Sequence, residues 1–488
     1  MTRGFRRILI ANRGEIAARV IRTCRRLGIE TVLTVSEADT GSLPARLADR
    51  AVLIGPAASY LSVEAIIAAA AAARADAIHP GYGFLSENAR LARACAGEGF
   101  AFIGPAPETL EAAGDKLSAR WHAAAAGLPV LPGEHVQPAG SPPGPADTPY
   151  SAPDMSDLSS LKIGFPVLVK AAGGGGGRGL RVVREPAGLA DAVAVASAEA
   201  DAAFGDARVY LERYVSPARH VEVQILGDGD RCVHLGDRDC SVQRRYGKLI
   251  EEAPAPLLSD ALRGELRRAA VTLGERLRYR GAGTVEFLVD PAREAFYFLE
   301  VNARIQVEHP VTEAVTGLDL VAEQIAIAEG RPLRLRQGDV TIAGHAIECR
   351  VNAEDPDRGF LPSPGTVTTA VFPAGPGIRV DAHIQGGSVV PPHYDSLLAK
   401  VISRGADRDD ALARLRGALA RCDIRGVATN LRMHASLLAS PEFARGGVAT
   451  DWLERVAREQ TPLSVPGKTA LARGADLPEP PGRISARG

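Results

Sequence analysis

The sequence has few cysteines, few aromatic residues and almost no net charge, and each scarcity excludes a class of protein. Its 488 residues include 6 Cys, which lack zinc-ligand spacing and a dense disulfide pattern, so we predict reduced thiols in a cytosolic protein. Lys and Arg total 57 against 58 Asp and Glu, which gives no electrostatic reason to bind nucleic acid or an anionic membrane. The apolar runs are too short for a signal peptide or a membrane span.

The first region of the chain, residues 1–115, alternates strand and helix patterns. This alternation predicts an open parallel α/β domain. Its first helix should bury one face, which is marked by Ile16, Val20, Cys24 and Leu27.

The rest of the chain is long enough for at least two further domains. We predict a second domain over residues 116–335, which opens with a helix from Lys116 to Leu128, and a third over residues 336–450. A stretch rich in Pro, Ser and Gly at 133–160 predicts a partly disordered surface insertion, and residues 461–488 predict an unstructured tail.

Two glutamates, Glu286 and Glu300, lie in neighbouring apolar stretches that both predict strands. A turn around residue 293 joins the stretches and places the two glutamates directly opposite each other. Facing carboxylates among apolar residues repel each other and favour a cation between them. Asn302 shares their face, and two carboxylates with an amide oxygen suit magnesium bound together with phosphate. A salt-bridged surface hairpin, or a register slip that separates the glutamates, is the alternative.

Five consecutive glycines, Gly173–Gly177, stand between two β patterns, and Lys170 ends the first of these. Glycine lets the backbone approach a polyphosphate closely and turn several N–H groups towards it. The loop is neither a Walker loop, because no Lys-Ser or Lys-Thr follows, nor a dinucleotide fingerprint, because no helix start follows. We predict a hairpin that closes over a nucleotide; a flexible linker is the alternative, although linkers are seldom bounded by two β patterns.

Arg304, Gln306 and Glu308 alternate directly after the second glutamate strand. If this segment is extended, the three side chains project to one face. Arg304 can then grip a planar oxyanion in a bidentate manner, and Glu308 can accept a proton. A solvated polar face is the alternative.

Other polar residues carry weaker signals. Arg244, Arg245 and Lys248 form a basic cluster that could neutralise phosphate or bicarbonate, although such clusters are usually solvated surface. His79, before a proline, is expected to be structural, and Arg350 ends an apolar alternating strand without any distinguishing pattern.

Taken together, the motifs resemble those of the biotin carboxylases, the ATP-grasp enzymes of biotin-dependent carboxylases. The matching strings, in order, are ILIANRGEIAARVIR, HPGYGFLSENA, GDK, KAAGGGGGRG, RHVEVQIL, RDCSVQRR, RGAGTVEFL, NARIQVEHPVTE, HAIECRVNAEDP, FLPSPG and YDSLLAK. They cover most of the chain except the insertion and the tail. The resemblance implies an α/β fold, α+β in part, with an N-terminal biotin carboxylase domain, an ATP-grasp domain whose lid spans about 131–214, and a C-terminal biotin carboxylase domain.

The resemblance also implies which residues bind the nucleotide and its metal. The residues implied to contact ATP, with the glycines closing over its phosphates and an adenine hinge formed from 212 to 215, are Lys116, Lys170, Gly175, Gly176, Gly177, Glu212, Val215, His220 and Gln243. Glu286, Glu300 and Asn302 are implied to hold magnesium or manganese.

For bicarbonate and biotin, the implied residues lie in later motifs. The residues implied to bind bicarbonate are Lys248, Arg304, Gln306 and the backbone N–H of Val307. Glu308 is implied to be the base for bicarbonate, Arg350 to stabilise the biotin enolate, and Tyr82 to lie near biotin.

The implied reaction has two steps. Bicarbonate attacks the γ-phosphate of ATP to give ADP and carboxyphosphate, which then releases carbon dioxide and phosphate. Phosphate deprotonates the biotin ureido nitrogen, and biotin N1′ captures the carbon dioxide while the closed lid excludes water.

Some positions depart from the family pattern. Tyr246-Gly247 stands where the family usually has His or Asn followed by Gln, so contacts to the ribose are expected to differ. Val301 and Ala303 replace the common Met and Thr beside Asn302, which is a tolerable change because both residues are apolar or small.

The sequence has only 3 Met, and none adjoins a lysine, whereas family carrier domains attach biotin at a lysine flanked by methionines. We therefore expect one subunit of a split enzyme, a homodimer that works with a biotin carboxyl carrier protein and a carboxyltransferase subunit. The expected acceptor is acetyl-CoA or propionyl-CoA, with pyruvate or another acceptor as the alternative. Two other functions stay open: an ATP-grasp ligase that joins a carboxylate to an amine, which has no reason to keep RIQVEHP or Arg350, and a catalytically silent subunit that binds nucleotide and scaffolds a carboxylase complex.

Overall fold

The computed structural model describes residues 4–136, 163–172 and 180–460. Most of the predicted insertion, the glycine-rich loop and the predicted tail lie outside the described residues. All six cysteines are free, as predicted, and five of them are buried. None of the helices in the described ranges is long and apolar enough to cross a membrane.

The first region forms the predicted parallel α/β layer. Its strands are β1 (Arg7–Ile10), β2 (Glu30–Ser36), β3 (Arg50–Gly55), β4 (Ala77–His79) and β5 (Ala101–Phe102), paired in the order β3-β2-β1-β4-β5. Its helices are α1 (Gly14–Arg26), α2 (Leu43–Leu47), α3 (Val63–Ala73), α4 (Ala89–Gly97) and α5 (Pro107–Gly114). Ile16, Val20 and Cys24 are buried as predicted, but the prediction for Leu27 is wrong. The helix ends at Arg26 before the left-handed Gly28, and Leu27 is 41% exposed.

Strands that precede and follow the glycine-rich segment in the sequence form a small antiparallel sheet. Its elements are α6 (Lys116–Ala125), β6 (Gly133–Val136), β7 (Val167–Ala171), β8 (Arg181–Val183), α7 (Leu189–Phe204) and β9 (Val209–Arg213), with strand order β6-β9-β7-β8. The helix predicted to reach Leu128 ends at Ala125, because Gly127 takes a left-handed conformation at φ +80°. β7 and β8 pair in antiparallel fashion, which confirms the hairpin predicted on either side of the glycines.

The largest sheet begins in the second predicted region. Its elements there are β10 (Arg219–Asp228), β11 (Cys232–Arg244), β12 (Gly247–Ala253), α8 (Asp260–Arg276), β13 (Arg280–Asp290), β14 (Ala295–Asn302), α9 (His309–Thr316) and α10 (Leu320–Ala328).

The third predicted region extends the same sheet. Its strands are β15 (His345–Asn352), β16 (Glu354–Asp355), β17 (Leu361–Pro362), β18 (Gly365–Thr366), β19 (Thr369–Val371), β20 (Ile378–Ala382), β21 (Val389–Val390), β22 (Leu397–Gly405) and β23 (Asp423–Arg425). Its helices are α11 (Arg408–Leu419), α12 (Leu431–Ala439), α13 (Pro441–Arg445) and α14 (Trp452–Gln460). The short 3-10 helices among the described residues are Glu37–Asp39, Ala57–Leu61, Pro186–Gly188, Gln337–Asp339 and Pro356–Arg358.

Eight strands in the order β14-β13-β10-β11-β12-β15-β22-β20 form this one sheet. The junction is the antiparallel pairing of β12 with β15, in which Ile250 faces Cys349. The sequence predicted separate second and third domains, and nothing in the local pattern indicated that a single sheet would run through both. Strands of both regions therefore build one continuous surface.

The two faces of the sheet differ because side chains alternate along each strand. On β10, Val221, Val223 and Ile225 pack into an apolar core with α8. Glu222 and Gln224, which lie between these apolar residues, are polar and equally buried, and they point to the other face together with His220. This second face carries the candidate site.

The C-terminal helix α14 is anchored by Trp452, which is 1% exposed and stacks on Phe443 with ring centroids 6.2 Å apart. We expect Trp452→Ala to lower the free energy of unfolding by about 3–5 kcal/mol, as for other buried aromatic side chains. The matched control is Trp121, which is 43% exposed and lies beneath the guanidinium of Arg276. Trp121→Ala should cost at most about 1 kcal/mol. Urea denaturation measures both, and equal losses would contradict the packing of α14.

Candidate active site

Three glutamates form a row across adjacent strands on the polar face of the large sheet. Glu222 on β10 lies opposite Glu286 on β13, which lies opposite Glu300 on β14. The predicted facing of Glu286 and Glu300 is thus confirmed, and the register slip did not occur. The sequence analysis missed Glu222, although its position between two valines of an alternating strand was a usable signal.

Lys248 neutralises one side of this row. Its Nζ lies 2.6 Å from Oε2 of Glu222, 2.8 Å from Oε1 of Glu286 and 2.7 Å from Oε1 of Glu308. Burial opposes the charged ammonium, but the three carboxylates hold the pKa of Lys248 well above its usual value. Lys248 is therefore a fixed cation shared by three buried anions.

The predicted cluster of Lys248 with Arg244 and Arg245 is wrong. Lys248 pairs directly with Gln243, so Arg244 points to the opposite face of the hairpin. There its guanidinium stacks on Phe360 at 3.8 Å from the ring centroid. Arg245 is exposed in the connecting turn with φ +49°. Only Lys248 reaches the site.

Glu286 is the most heavily contacted carboxylate. Its Oε1 accepts from Asn302 Nδ2 and from Gln306 Nε2, both at 2.8 Å, and its Oε2 lies 2.9 Å from His220 Nε2. Burial opposes ionisation, but Lys248 and His220 hold the pKa of Glu286 well below its usual value. The pKa of His220 is raised despite burial because Glu286 favours the imidazolium. His220, Glu222 and Glu286 place ligand atoms within 4.8 Å of one another.

The segment with Arg304, Gln306 and Glu308 is not extended, although extension was the condition for the three side chains to project to one face. β14 ends at Asn302, Glu87 accepts from the Ala303 N–H at 2.9 Å, and an irregular segment then leads to α9. The three side chains nevertheless reach one region. Arg304 donates to Asn302 Oδ1 at 2.8 Å and pairs with Glu87 at 3.0 Å, while Gln306 contacts Glu286.

Arg350 completes the site from the third predicted region. Its Nη2 lies 2.8 Å from Glu308 Oε2, and its Nε lies 2.6 Å from Glu251 Oε1. Glu308 is therefore held between Lys248 and Arg350. Burial opposes its ionisation, but these cations hold the pKa of Glu308 well below its usual value. The pairing of β12 with β15 brings Arg350 here, and no local sequence signal indicated it.

A second residue that the sequence analysis missed is Arg238, on β11 opposite Glu222. Its guanidinium is completely buried and pairs with Glu222. Its other acceptors are Gln224 Oε1 at 2.7 Å, Thr312 Oγ1 at 2.9 Å, Thr284 Oγ1 at 3.0 Å and Gln306 Oε1 at 2.8 Å. Because Arg238 occupies the amide oxygen of Gln306, the amide nitrogen is fixed towards Glu286.

Polar contacts join several of the residues assigned to ATP. Lys170 Nζ is 3.0 Å from Glu212 Oε2, and Gln243 Nε2 is 2.8 Å from His220 Nδ1. Val215 follows β9 and is half-buried, whereas Gly175, Gly176 and Gly177 lie outside the described residues. Burial lowers the pKa of Lys116, and the charge of Glu300 opposes this shift, so these two residues lie close enough to interact.

Tyr82 and Val307 are joined by a buried polar chain. The hydroxyl of Tyr82 donates to Glu15. Lys400 Nζ lies 3.0 Å from Oε1 of the same Glu15 and donates to the Val307 carbonyl at 2.6 Å. The turn that carries Val307 is thus fixed from the first region of the chain.

The donor set fits a hard divalent cation with phosphate. Glu286 and Glu300 offer adjacent carboxylates, and within the described ranges Glu300 forms no ion pair of its own. The site therefore combines the carboxylate of Glu300, the ammonium groups of Lys116 and Lys248, and the ionised Glu308, which pairs with both Lys248 and Arg350.

Family models match almost the whole chain. They are "Biotin carboxylase, N-terminal domain" over residues 4–110, "Carbamoyl-phosphate synthase L chain, ATP binding domain" over 116–336, and "Biotin carboxylase C-terminal domain" over 348–455. A biotin carboxylase from Nostoc sp. is 48% identical over 457 residues, which cover 93% of this chain and 99% of the relative.

The solved structures that this chain resembles also include biotin carboxylases. The biotin carboxylase–β,γ-ATP complex from Campylobacter jejuni matches with TM-score 0.86 and 43% identity, covering 92% of this chain and 99% of that chain. The biotin carboxylase domain dimer of Hydrogenobacter thermophilus 2-oxoglutarate carboxylase, in complex with MgADP, ADP and bicarbonate, matches with TM-score 0.87 and 41% identity, covering 93% and 98%. With the ATP-grasp architecture and relatives matched along nearly their full length, the chain belongs to the biotin carboxylase family of ATP-dependent ligases.

Proposed function

We propose that this chain carboxylates biotin on a biotin carboxyl carrier protein, using ATP and bicarbonate, as a subunit of an acyl-CoA carboxylase. The observation that carries the proposal is the position of Glu308. Its two oxygens lie 2.7 Å from Lys248 and 2.8 Å from Arg350, so one carboxylate links the two cations that bicarbonate and biotin need. A carboxylate–amine ligase has no use for the second cation.

In the first step, Lys248, Arg304, Gln306 and the Val307 N–H bind bicarbonate. An incoming anion competes with Glu308 for Lys248, and weaker pairing raises the basicity of this carboxylate. Glu308 then takes the bicarbonate proton as the oxygen attacks the γ-phosphate to give carboxyphosphate. Magnesium, held by Glu286 and Glu300, would neutralise phosphate charge.

In the second step, carboxyphosphate releases carbon dioxide and phosphate, and phosphate takes the proton from the biotin ureido nitrogen. The negative charge that develops on the ureido oxygen is offset by Arg350. Arg350 is always protonated and is already aligned by Glu251 and Glu308, so little reorganisation is needed during the reaction.

The test is the dependence of ATP turnover on bicarbonate, magnesium and biotin. We expect hydrolysis only with bicarbonate and magnesium, and faster hydrolysis with free biotin. Turnover that is indifferent to bicarbonate and biotin but stimulated by an amine would support the carboxylate–amine ligase instead. Nucleotide binding without turnover would support the silent scaffold.

The proposed metal site makes a separate prediction. Glu300→Gln removes one of two adjacent carboxylate charges and should lower kcat about 10²-fold, on the scale of losing one preorganised electrostatic contact. The fold should survive, because repulsion between facing carboxylates is relieved. Glu294→Gln, in the exposed turn of the same hairpin, is the matched control and should have no effect. Wild-type activity of Glu300→Gln at limiting magnesium would exclude Glu300 as a ligand.

The acceptor and the assembly are parts of the same proposal. We propose acetyl-CoA or propionyl-CoA as the acceptor, a separate carboxyltransferase subunit, and a homodimer, in line with the crystallised dimer of a related domain. Incubation with labelled bicarbonate, a biotinylated carrier and candidate carboxyltransferases should identify the acceptor. Transfer to pyruvate or 2-oxoglutarate alone would replace the acyl-CoA assignment. Light scattering tests the dimer.

A further inference from the structure

Two buried glutamates, Glu251 and Glu348, lie behind Arg350, and the mechanism above uses Glu251 only to align Arg350 and gives Glu348 no role. The pairing of β12 with β15 sets Glu251 directly opposite Glu348, and both are 0% exposed. Glu251 Oε1 accepts from Arg350 Nε at 2.6 Å. Among the residues that the structure describes, Glu251 Oε2 and both carboxylate oxygens of Glu348 have no hydrogen-bond partner. Unpaired buried polar atoms are costly, so this arrangement requires an explanation.

The charged groups around Glu348 do not supply a counter-ion. Lys400 on β22 lies nearby, but its Nζ is engaged by Glu15 at 3.0 Å and by the Val307 carbonyl at 2.6 Å. Arg350, on the same strand as Glu348, is engaged by Glu251 and Glu308. Glu15, on α1, adds further negative charge. A carboxylate at Glu348 would therefore be buried without a partner of its own.

We propose that Glu348 is a positioning residue that keeps a proton at neutral pH and donates it to Oε2 of Glu251, so that Glu251 stays a carboxylate aligned with Arg350. Directly opposed residues on one sheet face are close enough for such a bond. The bond would give a partner to Glu251 Oε2 and to the protonated oxygen of Glu348, and would leave one oxygen of Glu348 without a hydrogen bond among the described residues. The assignment of the proton to Glu348 follows from geometry, because Glu251 has the guanidinium as its partner and Glu348 has none.

The titration behaviour of the pair supports one shared proton. Burial raises the pKa of Glu251 to about 7, even though Arg350 opposes the shift. Burial also raises the pKa of Glu348 well above its usual value, against the opposing charge of Lys400, and Glu251 raises it further. Interacting carboxyls titrate as a pair, so the first proton leaves at lower pH than the second.

The proton held by this glutamate pair should make the folded protein less stable as the pH rises. The folded protein holds a proton that a glutamate in the unfolded chain releases near its ordinary pKa of about 4.3. The stabilising contribution is complete below that pH and is lost as pH rises towards the folded pKa. A glutamine at position 348 does not titrate. The melting temperature of Glu348→Gln should therefore rise relative to that of the wild type as the pH increases from 6 to 9.

Two measurements test the proton without reference to activity. Infrared spectra at pH 7 should show a protonated carboxyl C=O band in the wild type that is lost in Glu348→Gln and kept in Glu265→Gln, a control at an exposed position of α8. Melting temperatures across the pH range should show the gain described above. A band that survives in Glu348→Gln, or a pH-independent difference in melting temperature, would overturn the proposal.

The positioning role rests on the proposed function and has its own readout. Because a glutamine amide can still donate to Glu251, Glu348→Gln should keep carboxylation of biotin within about threefold of wild type. Glu251→Gln removes the charge aligned with Arg350 and should lower the rate of biotin carboxylation by at least ~10-fold, with ATP affinity unchanged. Equal losses in both variants would overturn the positioning role. If the wild type does not carboxylate biotin, the proposed function fails, whereas the infrared and melting results still decide where the proton resides.

Discussion

Replacing Lys248 by methionine should lower kcat at least ~10³-fold, because one cation serves three carboxylates and the proposed bicarbonate site. The variant leaves Glu222, Glu286 and Glu308 without their shared partner. Breaking a buried ion pair from one side costs about 3–5 kcal/mol, so the free energy of unfolding should fall as well. Steady-state turnover and urea denaturation measure the two effects.

The loss of stability in Lys248→Met should depend on pH. Without the ammonium, Glu286 and Glu308 lose an interaction that keeps their pKa values low, and protons stabilise them instead. The variant should therefore lose more stability at pH 8 than at pH 6 relative to the wild type. Arg245→Met, at the exposed turn of the same hairpin, is the control and should change neither quantity. Near-wild-type turnover of Lys248→Met would show that the charge network has no part in catalysis.

Arg350→Ala should lower labelling of carrier-bound biotin about 10³-fold while leaving ATP affinity within about twofold. Arg350 contacts Glu251 and Glu308, whereas Lys170, which is assigned to ATP, pairs with Glu212. Labelled bicarbonate measures the transfer, and calorimetry measures ATP binding. The exposed Arg358→Ala should leave both unchanged. A parallel loss of ATP affinity would mean that Arg350 supports the fold of the nucleotide site instead of acting on biotin.

The sequence alone predicted those features that depend on residues close together in the chain. The alternation of the hairpin strands and the turn near residue 293 placed Glu286 opposite Glu300, because register follows from periodicity and turn position. The strands around the glycines were predicted for the same reason. The predicted ends of two helices were less accurate. Leu27 and Leu128 continue the apolar pattern, but the helices already end before the left-handed glycines Gly28 and Gly127.

The sequence alone did not predict the contacts between residues that are distant in the chain. Arg350 meets Glu251 only because two strands about a hundred positions apart pair with each other, and periodicity carries no information about which strands become neighbours. The alternation of Arg304, Gln306 and Glu308 did not decide whether that segment is extended. Its strand ends at Asn302, and the next backbone N–H donates to Glu87, which is distant in sequence. The unpaired oxygens of Glu348 likewise appear only once its neighbours are known.

The continuous eight-stranded sheet has a consequence for synthesis on the ribosome. β12 is complete at Ala253, but its partner β15 begins only at His345, so β12 is an open edge while the intervening chain is made. Open edges are prone to pair with other chains, and translation at roughly 5–20 residues per second keeps this one open for several seconds. A nascent chain that already contains the glutamate row therefore still lacks Arg350. Nucleotide-dependent compaction of stalled nascent chains should precede the capacity to carboxylate biotin, which arises only when β15 has left the exit tunnel and closed the sheet.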